Sequence, residues 1–433
     1  MAKNNKLKYS VPLVAIDMGS DAFRAMAAEL CDDQRLRVLG VETSNRFPCV
    51  KRGVIDNTSN AGFMISEMLK LLANRIQVKE LPSAFVCVGG RTLQIVQVFS
   101  KRDQVREREV SQYLLDEMEV ECKQKIEARN PNAAVLDLVP YYYKLDGIEQ
   151  DYAPTKEQRA TLVEAHFIAF VGLKELEQKV LHSFDRSGKL LEHMYVRPDA
   201  LMNALATDDD LRQGCAIIDF GAQTTTLTIF KGTQYLHNKV VAMGGYDITR
   251  DIELLGIPFA RAERVKCEYG WASPNLVPVG EGDDPDSKVL RTKREVAKII
   301  ESRLNTTLEP LFEILEKEAE RLKVVYLTGA GSMLQGLEQY VQAHTSVPVM
   351  YGSHAEWLTG DTPDEMCMPS YSSLIGTLLL GASYRKTHPE KKPTRSSKIF
   401  EFLTVETLDL FSGHTHDDYK KDETQLKNNT EII

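Results

Sequence analysis

Two stretches of the sequence share one plan: VPLVAIDMGSDAFRAMAAE at 11–29 and GCAIIDFGAQTTTLTIFKG at 214–232. Each begins with a short apolar run that predicts a buried strand, for the first at Val11–Ile16, and continues through an Asp-x-Gly turn into a second strand. The repeat favours an α/β fold of two homologous lobes facing each other across a cleft. Two unrelated hairpins would give the same pattern.

An Asp-x-Gly turn of this kind can hold a triphosphate and its magnesium ion. Glycine lets backbone N–H groups approach phosphate oxygens, and a neighbouring hydroxyl adds a donor. Asp17 and Asp219 are the candidate Mg²⁺ ligands, through water, because Mg²⁺ gives up its water reluctantly. The candidate phosphate-binding residues are Gly19 and Ser20 in the first unit and Gly221, Thr224 and Thr225 in the second. Taken singly, either turn is also typical of a purely structural hairpin.

A third motif is VVYLTGAGSMLQGLEQYV at 324–341, which predicts a strand, a Gly-x-Gly turn and a helix. The helix is expected over Ser332–Val341, with Ser332 as its N-cap. Gly329 and Gly331 would let the backbone lie against a base or an α-phosphate near that helix N-terminus. Ser332 is a further candidate nucleotide-binding residue. An ordinary strand-to-helix turn is the alternative.

A fourth segment, AMGGYDITRDIELLGIPFARAERVKCEYG at 242–270, is expected to face the nucleoside. Gly244 and Gly245 open one helix, and Glu263 and Lys266 lie three residues apart on the next. That spacing puts a carboxylate and an amine on one helix face, where they could meet a ribose and an adenine. The same spacing is equally typical of a surface ion pair.

The order of these motifs is similar to that of the superfamily of actin, sugar kinases and heat-shock chaperones, whereas the P-loop and G-x-G-x-x-G patterns are absent. Other stretches resemble the bacterial cell-division family FtsA. These are KRGVIDN at 51–57, AFVCVGGRTL at 84–93, LVEAHFIAFVG at 162–172 and the fourth segment above. The resemblance extends over roughly residues 12–385.

The resemblance implies an actin-like fold of duplicated ribonuclease-H-like lobes, with subdomains 1A, 1C, 2A and 2B. The small α+β subdomain 1C is inserted in the first lobe in place of actin's subdomain 1B. The expected boundaries are 1A at 11–84, 168–212 and 356–385; 1C at 85–167; 2A at 213–246 and 321–355; 2B at 247–320; and a basic linker with a largely disordered tail at 386–433.

The resemblance also implies function. It implies ATP binding with Mg²⁺, self-assembly into filaments, binding of the C-terminal tail of the tubulin-like protein FtsZ, and recruitment of later division proteins through 1C. In subdomain 2B, the basic residues expected to meet the FtsZ tail are Arg291, Arg294, Lys298 and Arg303. A solvated helix face is the alternative interpretation of these four.

Composition limits the classes of protein. The chain has 433 residues, 43% of them hydrophobic and 27% charged, which predicts a folded protein of two or more domains. A net charge of −9 argues against a nucleic-acid binder. Seven cysteines without a C-x-x-C pair favour a reducing compartment. The N-terminal apolar run is too short for a signal peptide or a membrane span, so we expect a cytoplasmic protein. The family resemblance implies that it is peripheral on the inner membrane at the division site.

Two regions depart from the family pattern. Actins and chaperones carry a Gln or Glu in lobe one that positions the attacking water, whereas the comparable stretch here has Arg197 before Pro198. Arginine stays protonated and cannot act as a base, so at most slow hydrolysis is expected. In the tail, the apolar segment 398–413 is interrupted by acidic residues. A membrane-binding helix, a disordered segment and a partner-binding motif therefore all remain open for it. An ATP-dependent kinase or phosphatase, or a pilus-assembly factor of the same superfamily, is the alternative function.

Overall fold

The structure, a computed structural model, describes residues 11–150, 153–155, 157–232, 234–278 and 293–388. Its first sheet contains β1 (Leu13–Met18), β2 (Phe23–Leu30), β3 (Leu36–Ser44), β6 (Ser83–Val88) and β11 (Leu190–Val196), in the order β11-β6-β1-β2-β3. β1 is buried at every position, and β2 returns antiparallel to it. β4 (Val50–Lys51) and β5 (Val54–Ile55) form a separate small hairpin.

The second sheet repeats the first. It contains β12 (Cys215–Phe220), β13 (Thr225–Lys231), β14 (Gln234–Val241), β15 (Val324–Thr328) and β16 (Val349–Tyr351), in the order β14-β13-β12-β15-β16. In each sheet the first three strands in the chain are antiparallel neighbours, β1-β2-β3 in one and β12-β13-β14 in the other. Two parallel strands continue from the other side of β1 and of β12, namely β6 and β11 in the first sheet and β15 and β16 in the second. Because strand order and direction both agree, the two sequence units are the cores of two duplicated lobes.

An inserted module follows the first lobe's fourth strand. It has its own sheet of β7 (Gln94–Glu109), β10 (Arg159–Leu173), β8 (Ala133–Leu145) and β9 (Ile148–Gln150), in that order, with α2 (Gln112–Arg129) packed against it over a separate core. The expected boundary at residue 85 would place part of β6 in this module. The structure instead pairs β6 with β1 and β11, so the module begins after this strand.

Helices cover the two sheets. They are α1 (Thr58–Arg75), α3 (Lys174–Ser187), α4 (Arg197–Leu205), α5 (Asp208–Gln213), α6 (Gly245–Glu253), α7 (Phe259–Tyr269), α8 (Lys293–Glu318), α9 (Leu337–Gln342) and α10 (Ser372–Thr387). α6, α7 and α8 pack their apolar faces on the second sheet's core. Within the described residues, no helix is both long and apolar enough to cross a membrane.

The chain returns to the first lobe through α10. Leu374, Ile375 and Leu378 are fully buried against β1, β2 and β6. α10 also packs on α4 at Gly376, where an added Cβ would overlap the carbonyl oxygen of Ala200. This close approach matters for the cleft, since α4 and α10 each begin with residues that reach it.

The helix expected over Ser332–Val341 is shorter than predicted. A 3₁₀ turn spans Ala330–Met333, and α9 begins only at Leu337 after Gly336, whose φ is 75°. Ser332 is therefore not an N-cap. Its hydroxyl donates to the carbonyl of Gly329 at 2.7 Å. The left-handed conformation of Gly336 interrupts the segment that sequence periodicity joined into one helix.

Candidate nucleotide site

The two Asp-x-Gly turns have the same local geometry. In the first, the Gly19 amide donates to the Ala22 carbonyl at 3.1 Å; in the second, the Gly221 amide donates to the Thr224 carbonyl at 2.9 Å. The strands on either side also pair in equivalent registers, Met18 with Phe23 and Phe220 with Thr225. The sequence repeat is thus also a repeat of backbone conformation.

These turns border a cleft between the lobes. The empty space there is about 950 Å³, a figure that includes part of the open solvent. Seven of the residues predicted from sequence line it: Asp17, Gly19, Ser20, Asp219, Gly221, Thr224 and Gly329. Both turns and the Gly-x-Gly turn therefore converge on one space.

A second cavity of about 740 Å³ continues from the first, and Asp21, Ala222 and Ala330 border both. Gly245, Glu263, Lys266 and Gly331 line this second cavity, together with Tyr246. The two cavities thus divide the predicted residues into a phosphate-side group and a nucleoside-side group.

On the nucleoside side, Lys266 and Glu263 form an ion pair with Nζ–Oε1 at 2.8 Å. The Lys266 ammonium also donates to the carbonyl of Gly245 and to the hydroxyl of Thr249, both at 3.0 Å. The predicted ion pair is therefore present, and contact of these side chains with a nucleoside stays a prediction. The two charges are paired with each other, and the pair forms a wall of the cavity.

The second turn is held against the start of α6. The amides of Gly245 and Tyr246 donate to the carbonyls of Gly221 at 2.9 Å and Ala222 at 2.7 Å. Gly244 has no room for a side chain, since a Cβ there would overlap the Gly221 carbonyl oxygen. Gly244 therefore supports the turn without lining either cavity.

Two predicted hydroxyls do not reach the cleft. Thr225 is buried and donates to the Met243 carbonyl at 2.8 Å, and Ser332 is buried at the Gly329 carbonyl. Thr226 and Thr228 line the cleft instead. Since side chains alternate along a strand, the pattern T-T-T-L-T could have identified this face in the sequence.

In the sequence, Arg197 drew attention only because it cannot act as a base. In the structure it lies between Asp17 and Asp219. Its guanidinium donates to Asp17 through Nη2–Oδ1 at 2.5 Å and Nη1–Oδ2 at 3.3 Å. Its Nε lies 3.8 Å from Oδ2 of Asp219. Ser373, at the start of α10, also donates to Asp17, at 2.9 Å. Asp17 and Asp219 are 3% and 8% exposed, so these contacts form a buried ionic cluster.

The electrostatics of this cluster keep the arginine charged. Burial lowers the pKa of Arg197, but the attraction of Asp17 and Asp219 outweighs it, and its pKa is raised. Burial raises the pKa of Asp219, against the opposing effect of Arg197. A guanidinium is already protonated at any physiological pH, so the cluster holds a permanent cation.

The two aspartates do not fit a resident magnesium ion in this arrangement. Mg²⁺ takes an octahedron of oxygen atoms at about 2.0–2.1 Å, usually including several waters. Here both carboxylates face a guanidinium, and Asp17 uses both of its oxygens for Arg197. Across the part of the chain that the structure describes, no cluster of three or more His, Cys, Asp or Glu side chains could hold a metal ion.

Close backbone packing and a contact between the lobes shape the phosphate side of the cleft. Glycines at 53, 89 and 90 bring two backbone segments together at the phosphate side, where a Cβ on Gly53 would lie 2.8 Å from the Gly90 Cα. The first lobe also meets the second beside this cleft, since the Arg52 amide donates to Oε1 of Gln223 at 2.9 Å. Sequence reasoning missed this contact because it joins residues 171 positions apart.

The four predicted partner-binding residues fall into three groups. Arg294 and Lys298 are exposed on α8. Arg303 instead makes a two-pronged ion pair with Asp251 of α6, at 2.6 and 2.7 Å. Arg291, like the segment 398–413, lies outside the described residues. The exposed basic face of α8 is thus smaller than the sequence suggested.

Comparisons with known proteins find similar cell-division proteins. A family model described as "Cell division protein FtsA" matches residues 216–376. A cell division protein FtsA of Neisseria meningitidis serogroup B is 24% identical over 380 residues, which are 84% of this chain and 88% of that protein. One from Enterococcus faecalis is 22% identical over 91% of both chains. One from Agrobacterium fabrum is 31% identical over 48% of this chain and 49% of that protein.

Solved structures confirm the expected fold class. A chain of the PilM-PilN type IV pilus biogenesis complex superposes with a TM-score of 0.62 at 17% identity, over 85% of this chain and 98% of that chain. MreB5 of Spiroplasma citri bound to ADP gives a TM-score of 0.50 at 12% identity, over 88% and 99%. The chain therefore has an actin-like α/β fold with two lobes.

Proposed function

This chain belongs to the FtsA family of cell-division proteins, and from that premise we propose that it is an ATP-binding filament subunit. It binds the C-terminal tail of FtsZ, links the division ring to the cytoplasmic membrane and recruits later division proteins through the inserted module. The observation that supports ATP binding best is the convergence of three glycine turns on one interlobe cleft.

The ligand is a nucleotide because the cleft has two chemically different ends. Backbone turns with Thr224 and Ser20 border one end, and an aromatic ring, an ion pair and apolar side chains border the other. The MreB5 chain of similar fold has been solved with ADP and with AMPPNP. Calorimetry with ATP tests this proposal directly, and an absence of heat at millimolar nucleotide would contradict it.

Hydrolysis is slow at most. The carboxylates lining the phosphate side are those of Asp17, Asp21 and Asp219. Arg197 engages the first and lies near the last, while Arg24 pairs with Asp21 at 2.8 Å. A general base must be free to accept a proton from water. A turnover assay with ATP tests this proposal, and a turnover near typical enzyme values, on the order of 10 per second, would contradict it.

The pilus-assembly alternative has weaker support. At 17% identity the likeness to the PilM-PilN complex reflects the fold alone. The division-protein relatives match at 22–24% identity across more than four-fifths of this chain. A pull-down with FtsZ distinguishes the two functions.

The FtsZ tail is proposed to bind the outer face of α8. The apolar face of this helix packs inward through Val296, Ile300 and Leu304, which leaves Arg294 and Lys298 in solvent one turn apart. Arg303 contributes by holding α8 on α6 through Asp251. Two exposed cations at this spacing suit an acidic segment of an extended peptide.

Reversing both charges, Arg294→Glu with Lys298→Glu, is expected to weaken tail binding at least about tenfold, or about 1.4 kcal/mol. The cause is the replacement of attraction by like-charge repulsion, so the difference should shrink as salt is raised. Fluorescence anisotropy with a labelled FtsZ tail peptide measures it. Lys70→Glu with Arg75→Glu makes the same charge change on exposed positions of α1 and should leave affinity unchanged. Equal affinity of the α8 variant and the original protein would exclude this face.

Membrane attachment is proposed to depend on the basic linker and the apolar segment 398–413. Residues 389–433 lie outside the described part of the chain, so the proposal rests on their sequence. Each basic residue near an acidic lipid surface contributes about 1 kcal/mol, which the acidic residues in this segment oppose. A monomer would therefore bind weakly, and a filament presenting many tails would bind far better.

A further inference from the structure

The cluster of Asp17, Arg197 and Asp219 joins parts of the chain that are far apart in sequence. Arg197 is the first residue of α4, and Pro198 follows it within the first helical turn. Asp17 lies in β1 and Asp219 in β12, so the guanidinium lies between the central strands of the two lobes. It is thereby placed at the point where both Asp-x-Gly turns begin.

The surroundings are built to hold this side chain. A Cβ on Gly89 would lie 3.2 Å from Nε of Arg197 and 3.7 Å from its Cβ and Cδ, so glycine there leaves room for the arginine. The Ser373 hydroxyl donates to Oδ2 of Asp17 and so helps to hold this carboxylate. Arg197 is therefore positioned by α4, by the β6 turn and by α10, in addition to the two carboxylates.

Charge explains why a cation is needed here. Two carboxylates buried close together destabilise each other unless a positive group lies between them. The Arg197 guanidinium supplies that group permanently, since it does not deprotonate in proteins. A metal ion entering the same place would have to displace the guanidinium and leave it without its carboxylate partners in a largely buried position. Such an unpaired buried charge is strongly unfavourable.

The guanidinium also has donors left for a ligand. Arginine carries five N–H groups. The contacts with Asp17 and Asp219 involve Nη1, Nη2 and Nε, and each Nη carries a second hydrogen. The side chain retains 22% exposure and lines the phosphate side of the cleft. Guanidinium groups bind phosphate oxygens through paired hydrogen bonds.

We infer that Arg197 takes the place of a resident magnesium ion between Asp17 and Asp219, so that this cleft binds a nucleoside triphosphate without requiring a divalent metal. The inference rests on the proposed nucleotide binding. It replaces the expectation, drawn from the aspartates alone, that ATP binding depends on Mg²⁺.

The test compares ATP affinity of the full chain by calorimetry in excess Mg²⁺ and in excess EDTA. We expect the two Kd values to agree within about threefold, because the cation at the aspartates belongs to the protein. Binding that is at least about tenfold weaker in EDTA would overturn the inference while leaving nucleotide binding intact. Absence of binding in both solutions would overturn the proposed nucleotide function itself.

Variants of Arg197 test whether this side chain makes ATP binding independent of a divalent metal. Arg197→Ala leaves two carboxylates without their cation, and its ATP affinity should become metal-dependent by about tenfold or more. Arg197→Lys keeps a positive charge and should lose less affinity in EDTA. Arg75→Ala removes an arginine that pairs with Glu42 at 2.6 Å outside the cleft, and should behave like the original protein. Metal-independent binding by a folded Arg197→Ala would overturn the role of Arg197. If that variant does not fold, the comparison of the original protein in Mg²⁺ and EDTA still decides.

Discussion

Replacing Ala330 with tryptophan is expected to weaken ATP binding at least about 100-fold, or about 2.7 kcal/mol, without unfolding the protein. Ala330 is exposed, begins the 3₁₀ turn after β15, and borders both cavities of the cleft. An indole at this junction would occupy the space through which a nucleotide must pass from the phosphate side to the nucleoside side. Calorimetry with ATP measures the loss.

Ala355 provides a matched control. It is also exposed and also begins a 3₁₀ turn, Ala355–Trp357, and it lines neither cavity of the cleft. Ala355→Trp should therefore bind ATP like the original protein, and circular dichroism should give the same spectrum for both variants. Undiminished affinity in Ala330→Trp would mean that the nucleotide does not lie across this junction.

Gly376→Ala is expected to destabilise the protein by about 3 kcal/mol, because the new methyl group would overlap the backbone carbonyl of Ala200 and force α10 away from α4. The unfolding temperature should fall by about 5 °C in differential scanning calorimetry. Both helices reach the cleft, α4 through Arg197 and α10 through Ser373. The same change should therefore weaken ATP binding as well as stability.

Gly360 is the control for this substitution. An added Cβ there meets nothing within 4 Å, and its backbone is not in the left-handed region. Gly360→Ala should leave both the unfolding temperature and the ATP affinity unchanged. If Gly376→Ala is as stable as Gly360→Ala, then α10 does not pack closely against the Ala200 carbonyl of α4.

The parts of the site that were predictable from sequence are local. Asp17, Gly19, Asp219 and Gly221 each occur in a turn whose conformation depends on neighbouring residues, so the pattern alone located them. Repetition of the pattern also predicted the two lobes. The third turn was predictable for the same reason, although Gly336 shortened the helix that follows it.

What sequence could not predict depends on contacts between distant segments. Arg197 lies 180 residues from Asp17, and Ser373 lies 356 residues from it. Only the packing of α4 and α10 on the first sheet brings them together. The residue type shows that Arg197 cannot act as a base. The position of its guanidinium between the two aspartates could not be predicted from the sequence. The ion pair of Arg303 was not predicted for a similar reason, because its partner Asp251 lies on another helix.

The measurement that tests the proposed function most directly is co-sedimentation of FtsZ polymers with acidic phospholipid vesicles, with and without this protein and ATP. We predict that FtsZ associates with vesicles only when the full chain and ATP are both present. A chain ending at His388 keeps α10 whole, lacks the segment 398–413, and should leave FtsZ unattached. FtsZ that stays free of vesicles in the presence of the full chain, ATP and vesicles would contradict the proposed link between the division ring and the membrane.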